Sequence, residues 1–482
     1  VYYYHDKKNF VFTSDLRNLY HYPNIELEVS SSSAKEMLKY SFIIGNRTIY
    51  KNVNKLEPAS ILEFCLKKKV LKKIIYWKKE NFFNSKLVNN NINDNEIIKN
   101  LDFLMYEKIK NASISDKPIS CFLSGGIDSS LIASLYSTSS IKKIKTFTAI
   151  FETNKNIYNE GKYSREIASF LGTDHTEVII NEDDFLKNLE EIPNIYSEPF
   201  GDSSSVPTFS ICKSIKKNND VALSGDGGDE IFGGYYRYGK GYSFWKKYKK
   251  KKIINLFLKL SKRLRIQNYS ILELFFSDVE NKFDKSISIL NHDDIKEYYE
   301  KLISSDFIDP FLNSRMLDDE LLNYNNEIDE RENLRLFDLK YYMADDILVK
   351  IDRASMFNSL EIRAPFLNHK IFEYLSTVPR QIFYKDTSGK YLAKKILSNY
   401  LPSKLTNRAK HGFEVPIKEW LLGKNKKYFE DVLFDKDNYI FSVINREKVL
   451  LLWKRYENGT NLSKFFWNMI SFNLWHKTNV KK

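Results

Sequence analysis

Cysteine is nearly missing from this chain: its 482 residues hold three, Cys65, Cys121 and Cys212. None stands at the short spacing of a zinc ligand pair or a disulfide framework, so neither staple is expected and the usage fits a reducing compartment such as the cytoplasm. Also missing is any uninterrupted apolar run long enough to span a bilayer, which removes a membrane-spanning helix from consideration. The chain has no initiator Met. Val1-Tyr2-Tyr3-Tyr4 already reads as a strand in mid-sheet, so the expectation is a fragment, and no leader peptide can be read from it. The net charge of +13 comes from Lys in a chain also rich in Asn and Ile. It reads as a compositional habit rather than a surface for nucleic acid, and neither nucleic acid nor membrane is expected as a partner. What is present, 43% hydrophobic and 28% charged residues over this length, makes a globular protein too long for one core, with two or three domains.

Along the chain the pattern changes three times. Residues 1–78 alternate short strand-like runs (Val1–His5, Asn9–Thr13, Ser60–Cys65, Val70–Tyr76) with polar turns and one helix near Ser33–Tyr40, predicting a mainly β, partial domain. Residues 79–95 carry the Asn-rich run Asn89–Asn95 and read as a linker. From 96 to 240, apolar strands (Pro118–Leu123, Ile144–Phe151, Thr176–Ile180, Asp220–Leu223) alternate with amphipathic helices near 96–110, 129–138, 160–171, 183–192 and 206–217. That alternation predicts an α/β fold with a doubly wound parallel sheet and ligands at the carboxyl ends of its strands. From 241 to 482 strand signals fade and helical spacing dominates; the Lys run 246–252 suits the solvated face of a docked helix.

The richest motif is Ser124-Gly125-Gly126-Ile127-Asp128-Ser129-Ser130, between the strand ending at Leu123 and the helix starting at Leu131. A strand, a Gly-Gly turn and a helix start present unpaired N–H groups and a positive dipole end to an anion, and the three serines add hydroxyl donors. A carboxylate there faces phosphate only through a cation, which points to Mg²⁺ between Asp128 and phosphate oxygens. The loop lacks the Gly-Lys-Ser/Thr ending of the common nucleotide loop. A second acidic glycine turn, Ser224-Gly225-Asp226-Gly227-Gly228-Asp229-Glu230, follows the strand ending at Leu223. Two such loops at the ends of parallel strands can converge, so that Asp128 and Asp229 share Mg²⁺ and pyrophosphate. Three more strings carry chemistry. Glu198–Pro207 is a polar loop; Asp345–Met356, running on to Leu367, carries charges at helical intervals that suit buried ion pairs as well as catalysis. Arg408-Ala409-Lys410-His411-Gly412-Phe413 sets a Lys beside a Gly turn, where it can neutralise phosphate charge.

The first motif resembles the pyrophosphate loop of the ATP-pyrophosphatases (adenine nucleotide alpha hydrolase-like fold). In order and spacing the five strings together resemble the synthetase part of the glutamine-hydrolysing asparagine synthases. Val1–Tyr4, Thr13–Arg17 and Thr48–Pro58 resemble the end of that family's class II (Ntn-type) glutaminase domain. The resemblance implies a division into a glutaminase remnant (1–78), a linker (79–95), an ATP-pyrophosphatase core (96–240) and a helical part of the synthetase (241–482). It implies ATP and Mg²⁺ as cofactors, and aspartate with glutamine or ammonia as substrates; it admits a homodimer. Residue by residue, it implies that Phe122, Ser124, Gly125, Gly126, Asp128, Ser129, Ser130, Ala149, Ser224 and Gly225 contact ATP, and that Asp128 and Asp229 hold the metal. Asp226, where many members carry Glu, would handle the ammonia proton, and Lys410 would stabilise the adenylation transition state. The glutaminase's N-terminal Cys nucleophile would lie before Val1, and a Met-Cys start upstream is the expectation. Departures from the family's pattern are Asn159 in Tyr158-Asn159-Glu160, Asn368 where Asp is usual, and Glu414 where Gly is frequent. The same machinery serves amidotransferases of other carboxylates, including sugar acids, β-lactam-forming synthetases, and in principle an inactive remnant.

Overall fold

The computed structural model describes residues 1–6, 8–23, 25–153, 161–248, 294–305, 324–406 and 415–480. Its centre is a five-stranded sheet in the order β10-β9-β6-β7-β8, formed by β6 (Ile119–Phe122), β7 (Lys145–Phe151), β8 (Asp174–Ile180), β9 (Val221–Leu223) and β10 (Glu361–Arg363). Every pairing in it is parallel. The inner strands are almost continuously buried, as strands covered on both faces must be, whereas β8 at the edge alternates exposed and partly buried residues. From β6 the chain winds outward through β7 to β8, then returns to place β9 on the other side of β6. The β6–β9 boundary is therefore the topological switch point of the sheet, where α/β folds bind ligands.

Four sheet strands form where the apolar runs predict them, within two residues at each end. The fifth, β10, sits in the string read as helical. Its three residues pair with β9 over a tertiary distance, Glu361 opposite Val221 and Arg363 opposite Leu223, and three residues show no period. The predicted helix beginning at Asp345 is also wound differently. Asp338–Ile347 is a π-helix that continues as an α-helix from Leu348 to Phe357. Asn368, set apart above as a departure, caps the helix His369–Ser376 by accepting the Lys370 N–H at 3.1 Å. In the Lys run, Trp245 is fully buried and Lys246 exposed, as a docked helix requires; the run beyond Tyr248 lies outside the described residues.

The N-terminal residues form a three-stranded antiparallel sheet in the order β2-β1-β3 (Phe10–Thr13, Tyr2–His5, Val53–Lys55) and the hairpin β4–β5 (Ser60–Cys65, Val70–Ile75). This region shares one hydrophobic core with the sheet and the last helix, Ser463–Asn479: Tyr2, Met37 and Tyr50 belong to the same cluster as Phe147 and Trp475. Polar contacts cross the same seam. Gly201 N–H donates to Ser41 O at 2.7 Å, Asn468 Nδ2 to Leu38 O at 2.9 Å, and the buried Lys39 ammonium meets Glu300 at 2.5 Å. The stretch read as a linker is anchored too. Phe83 is buried, and Phe82 packs on Phe372 at a ring distance of 5.8 Å, as does Trp77 just before the stretch.

Acids are buried along this seam. Glu36 accepts from Ile44 N–H at 3.2 Å and from Arg47 at 2.7 Å, while Asp345 accepts from Gly45 N–H at 2.7 Å and faces Lys55 at 3.6 Å. Burial pushes the Glu36 carboxyl up to about 7 against the pull of Arg47, and that of Asp345 up to about 6 against Lys55. A carboxyl raised on folding binds its proton more tightly in the folded state, so its stabilising contribution is present at low pH and is lost as pH rises toward the folded value. In pH-dependent melting, Glu36→Gln should therefore gain on wild type by about 2–3 kcal/mol between pH 5 and 8. A difference that stays flat across that range would contradict this account of the seam.

Candidate active site

Because β6 and β9 are hydrogen-bonded neighbours in register, Cys121 opposite Leu223, the loops leaving their carboxyl ends emerge side by side. In the first loop Gly125 takes φ +79°, which the backbone needs to turn, and a Cβ there would press on Ser164 N at 3.0 Å. Gly126 caps the helix Ile127–Ser139. Ser124 and Ser129 brace the turn: Gly126 N–H donates to Ser124 Oγ at 3.2 Å, Ser124 N–H to Ser129 Oγ at 3.2 Å, and the two hydroxyls lie 3.1 Å apart. Ser130, in the first turn of the helix, is buried with its Oγ lacking a partner among the described residues. Phe122 ends β6, and Ala149 lies buried within β7, one strand away.

The second loop folds against the first. Gly227 takes φ +82° at the start of the short helix Gly228–Ile231. A Cβ on Gly225 would sit 2.9 Å from Asp128 Cβ, and one on Gly228 would sit 2.4 Å from Asp128 Oδ1, so the Asp128 side chain lies directly on these glycines. Ser224 N–H continues the sheet, donating to Arg363 O at 2.9 Å. The structure thus brings Ser124–Ser130 and Ser224–Asp229 into one crevice. Lys410, with the whole string Arg408–Phe413, lies outside the described residues, as do Asn159 and Glu414.

The two carboxylates meet on a residue that sequence reasoning missed. The Lys390 ammonium pairs with Asp128 and, at 2.8 Å, with Asp229; it is 4% exposed against 20% and 22% for its partners. Burial alone would make Lys390 easier to deprotonate, but Asp128 and Asp229 outweigh it and hold it charged. Its position is tightly determined. Lys390 sits in the left-handed region at φ 58°, and a Cβ on Gly234 would lie 2.1 Å from both Asp229 Oδ1 and Lys390 Cε. A lysine 262 positions beyond Asp128 carries no local signal; only the turn residues Ser388-Gly389 before it hint at a special backbone.

Asp226 follows Gly225 in the same loop. Burial pushes its carboxyl up, and the Lys350 ammonium and the Ser224 hydroxyl pull it back. Its neighbour Glu230 is pushed up to about 7 by burial and by Asp229, and accepts from the Tyr235 hydroxyl at 2.6 Å. Two carboxylates that already share one cation fit a divalent ion in chemistry and spacing. Among the described residues no group of three or more His, Cys, Asp or Glu gathers as a metal site, so other oxygens would have to come from phosphate and water, the usual habit of Mg²⁺.

A doubly wound parallel sheet with a serine- and glycine-rich loop opposite an acidic glycine turn at its switch point defines an ATP-pyrophosphatase-type α/β fold. The chain belongs to the asparagine synthase family, whose profile matches residues 100–477, and residues 1–77 match the glutamine amidotransferase domain. It is 26% identical over 478 residues to the glutamine-hydrolysing asparagine synthetase 1 of Bacillus subtilis, covering 98% of this chain and 72% of that one. It is 31% identical over 378 residues to a putative glutamine-hydrolysing asparagine synthetase 2 of Methanocaldococcus jannaschii, covering 76% and 69%. The family makes this chain a ligase-type enzyme that uses ATP. Among the described residues no helix is long and apolar enough to cross a membrane.

The crevice predicts the effect of a single methyl group. Gly234→Ala should push Asp229 and Lys390 apart and weaken Mg²⁺-dependent ATP binding at least about tenfold, or 1.4 kcal/mol, by titration calorimetry. Unchanged affinity would show that this contact does not position the nucleotide site.

Proposed function

We propose that this chain makes asparagine from aspartate, ATP and ammonia in two steps inside the crevice at the switch point, with glutamine the ultimate nitrogen donor. The observation that carries the proposal is the meeting of Asp128 and Asp229 on one cation, from loops on adjacent parallel strands. The first step is attack of the aspartate side-chain carboxylate on the α-phosphorus of ATP, releasing pyrophosphate and leaving an acyl adenylate; the second is attack of ammonia on that adenylate. A free carboxylate is a poor acyl donor until it is adenylated, which is why ATP is consumed.

Each residue has a task in this scheme. Ser124, Gly125, Gly126, Ser129 and Ser130 cradle the pyrophosphate with N–H and hydroxyl donors at a helix start. Phe122, Ala149, Ser224 and Gly225 border the rest of ATP, mainly through backbone. Asp128 and Asp229 would hold Mg²⁺, which supplies charge neutralisation for the leaving pyrophosphate. Lys390 balances the same carboxylates and can move to phosphate oxygens as they arrive; Lys410 would add charge at the α-phosphorus. Asp226, shorter than the Glu many members carry, takes the proton released by ammonia. In this reading residues 1–78 belong to a glutaminase domain, 79–95 join it to the synthetase, 96–240 form the ATP core and 241–482 its helical part, working in the cytoplasm. Cys121 and Cys212 are buried with thiols pushed up by that burial, which suits packing rather than nucleophilic roles.

Aspartate-dependent exchange of labelled pyrophosphate into ATP tests the proposal directly. Wild type should show exchange with aspartate, and Asp128→Asn and Asp229→Asn should each lower it at least about 100-fold, a loss near 2.7 kcal/mol of transition-state stabilisation. Exchange supported by a sugar acid and not by aspartate would overturn the choice of acceptor.

A further inference from the structure

The loop that carries Lys390 is pinned on both sides of that residue. Before it, Gly389 N–H donates to Asp386 O at 2.9 Å, and Thr387 O accepts Lys240 N–H at 3.1 Å. Gly389 turns at φ +82° against the neighbouring glycine loop, where a Cβ would meet Gly233 O at 2.8 Å. After it, Lys394 N–H donates to Lys390 O at 2.9 Å, and Lys394 Nζ reaches back to Asp386 Oδ2 at 2.6 Å. Lys390 itself takes φ 58°, a conformation that side-chain-bearing residues seldom adopt, at the start of the helix Tyr391–Leu397. With the backbone fixed in this way, the side chain is the part that can move. Its buried ammonium lies between Asp128 and Asp229, 2.8 Å from the latter, and each carboxylate comes from a different loop.

Two carboxylates and one ammonium leave one net negative charge. A divalent cation coming to the same carboxylates would meet the like charge of the ammonium, poorly shielded in a crevice this enclosed. Phosphate removes the conflict, because it brings negative charge enough for both cations. We infer that Lys390 is a built-in counter-ion that closes the Asp128–Asp229 pair to a divalent cation arriving alone and yields it to one that arrives with nucleotide phosphate. The inference rests on the reading above, in which these two aspartates hold Mg²⁺.

Place and build separate these contacts from the ion pairs that fasten helices elsewhere, such as Arg335 with Glu332. They lie where the loops after β6 and β9 meet, the ligand end of the sheet, and their lysine rides on strained backbone. Strain of this kind persists only where the surroundings fix it, and it collects at ligand sites. Metal and nucleotide then enter as one ligand rather than in turn, and until they do the two aspartates do not face each other uncompensated.

The test uses Mn²⁺ as the probe, its binding to the whole chain read by water-proton relaxation without nucleotide and with a non-hydrolysable ATP analogue. Wild type should bind Mn²⁺ at this pair only when the analogue is present. Lys390→Met keeps the length of the stem and drops the charge; it should bind Mn²⁺ alone at least about tenfold more tightly than wild type. Adding Asp229→Asn to that variant should remove the gain. A folded Lys390→Met, judged by circular dichroism melting, that shows no gain while wild type still binds with the analogue overturns the inference alone. Where Lys390→Met does not fold, wild type against Asp229→Asn decides: nucleotide-free Mn²⁺ binding that Asp229→Asn abolishes overturns the inference, and binding that it leaves unchanged supports it. Analogue-dependent Mn²⁺ binding that survives both Asp128→Asn and Asp229→Asn overturns the reading beneath it.

Discussion

One pairing underlies the rest of this molecule: the parallel contact between β6 and β9. It exists because the chain, after winding outward through β7 and β8, comes back to the free side of β6. That reversal leaves two loop exits next to each other with no helix crossing between them. Like charges would make such neighbours repel, since each loop carries an aspartate. The Lys390 ammonium resolves the repulsion, and glycines at 225, 228 and 234 let the three side chains close to contact. Two carboxylates that share one cation are also a donor set of the kind a divalent ion would use, with phosphate oxygens completing its shell.

The N-terminal region and the α/β core are bound into one body rather than tethered. A common hydrophobic cluster, backbone hydrogen bonds across the seam and a buried ion pair join the two regions. Charged groups in such a boundary are costly unless paired. They are paired here: Lys55 faces Asp345 and Glu198, and Lys350, further along the same helical segment, pairs with Asp202. A small cleft of about 10 Å³, room for little more than one water, is lined here by Tyr2, Phe42, Glu198, Asp345 and Arg353.

Much of this is legible in the amino-acid order. The four sheet strands with apolar runs, the helix after the first glycine turn and the convergence of Asp128 with Asp229 all followed from local pattern plus the rule for parallel sheets. What escaped has physical reasons. β10 is three residues long and owes its conformation to β9 rather than to its own period. The π-winding of Asp338–Ile347 differs from an α-helix by one residue per hydrogen-bonded loop, a difference that composition does not carry. The polar stretch after residue 78 reads as a tether by composition, yet its two aromatics, Phe82 and Phe83, dock it on Phe372 together with Trp77 just before it.

The amino-acid order alone pointed to the family, since serines, glycines and aspartates at those spacings suit an anion-binding loop at a helix start. It settled the fold class too, because strand and helix periods are local properties. Which distant residues share the site was left to folding. Lys390 stands more than a hundred positions from Asp128 and Asp229, and Lys350 as far from Asp202, and only packing of the helical part against the sheet brings them within hydrogen-bonding range. The charge state of a buried acid is likewise a sum over neighbours from many elements, a quantity that exists only once the chain has closed around it.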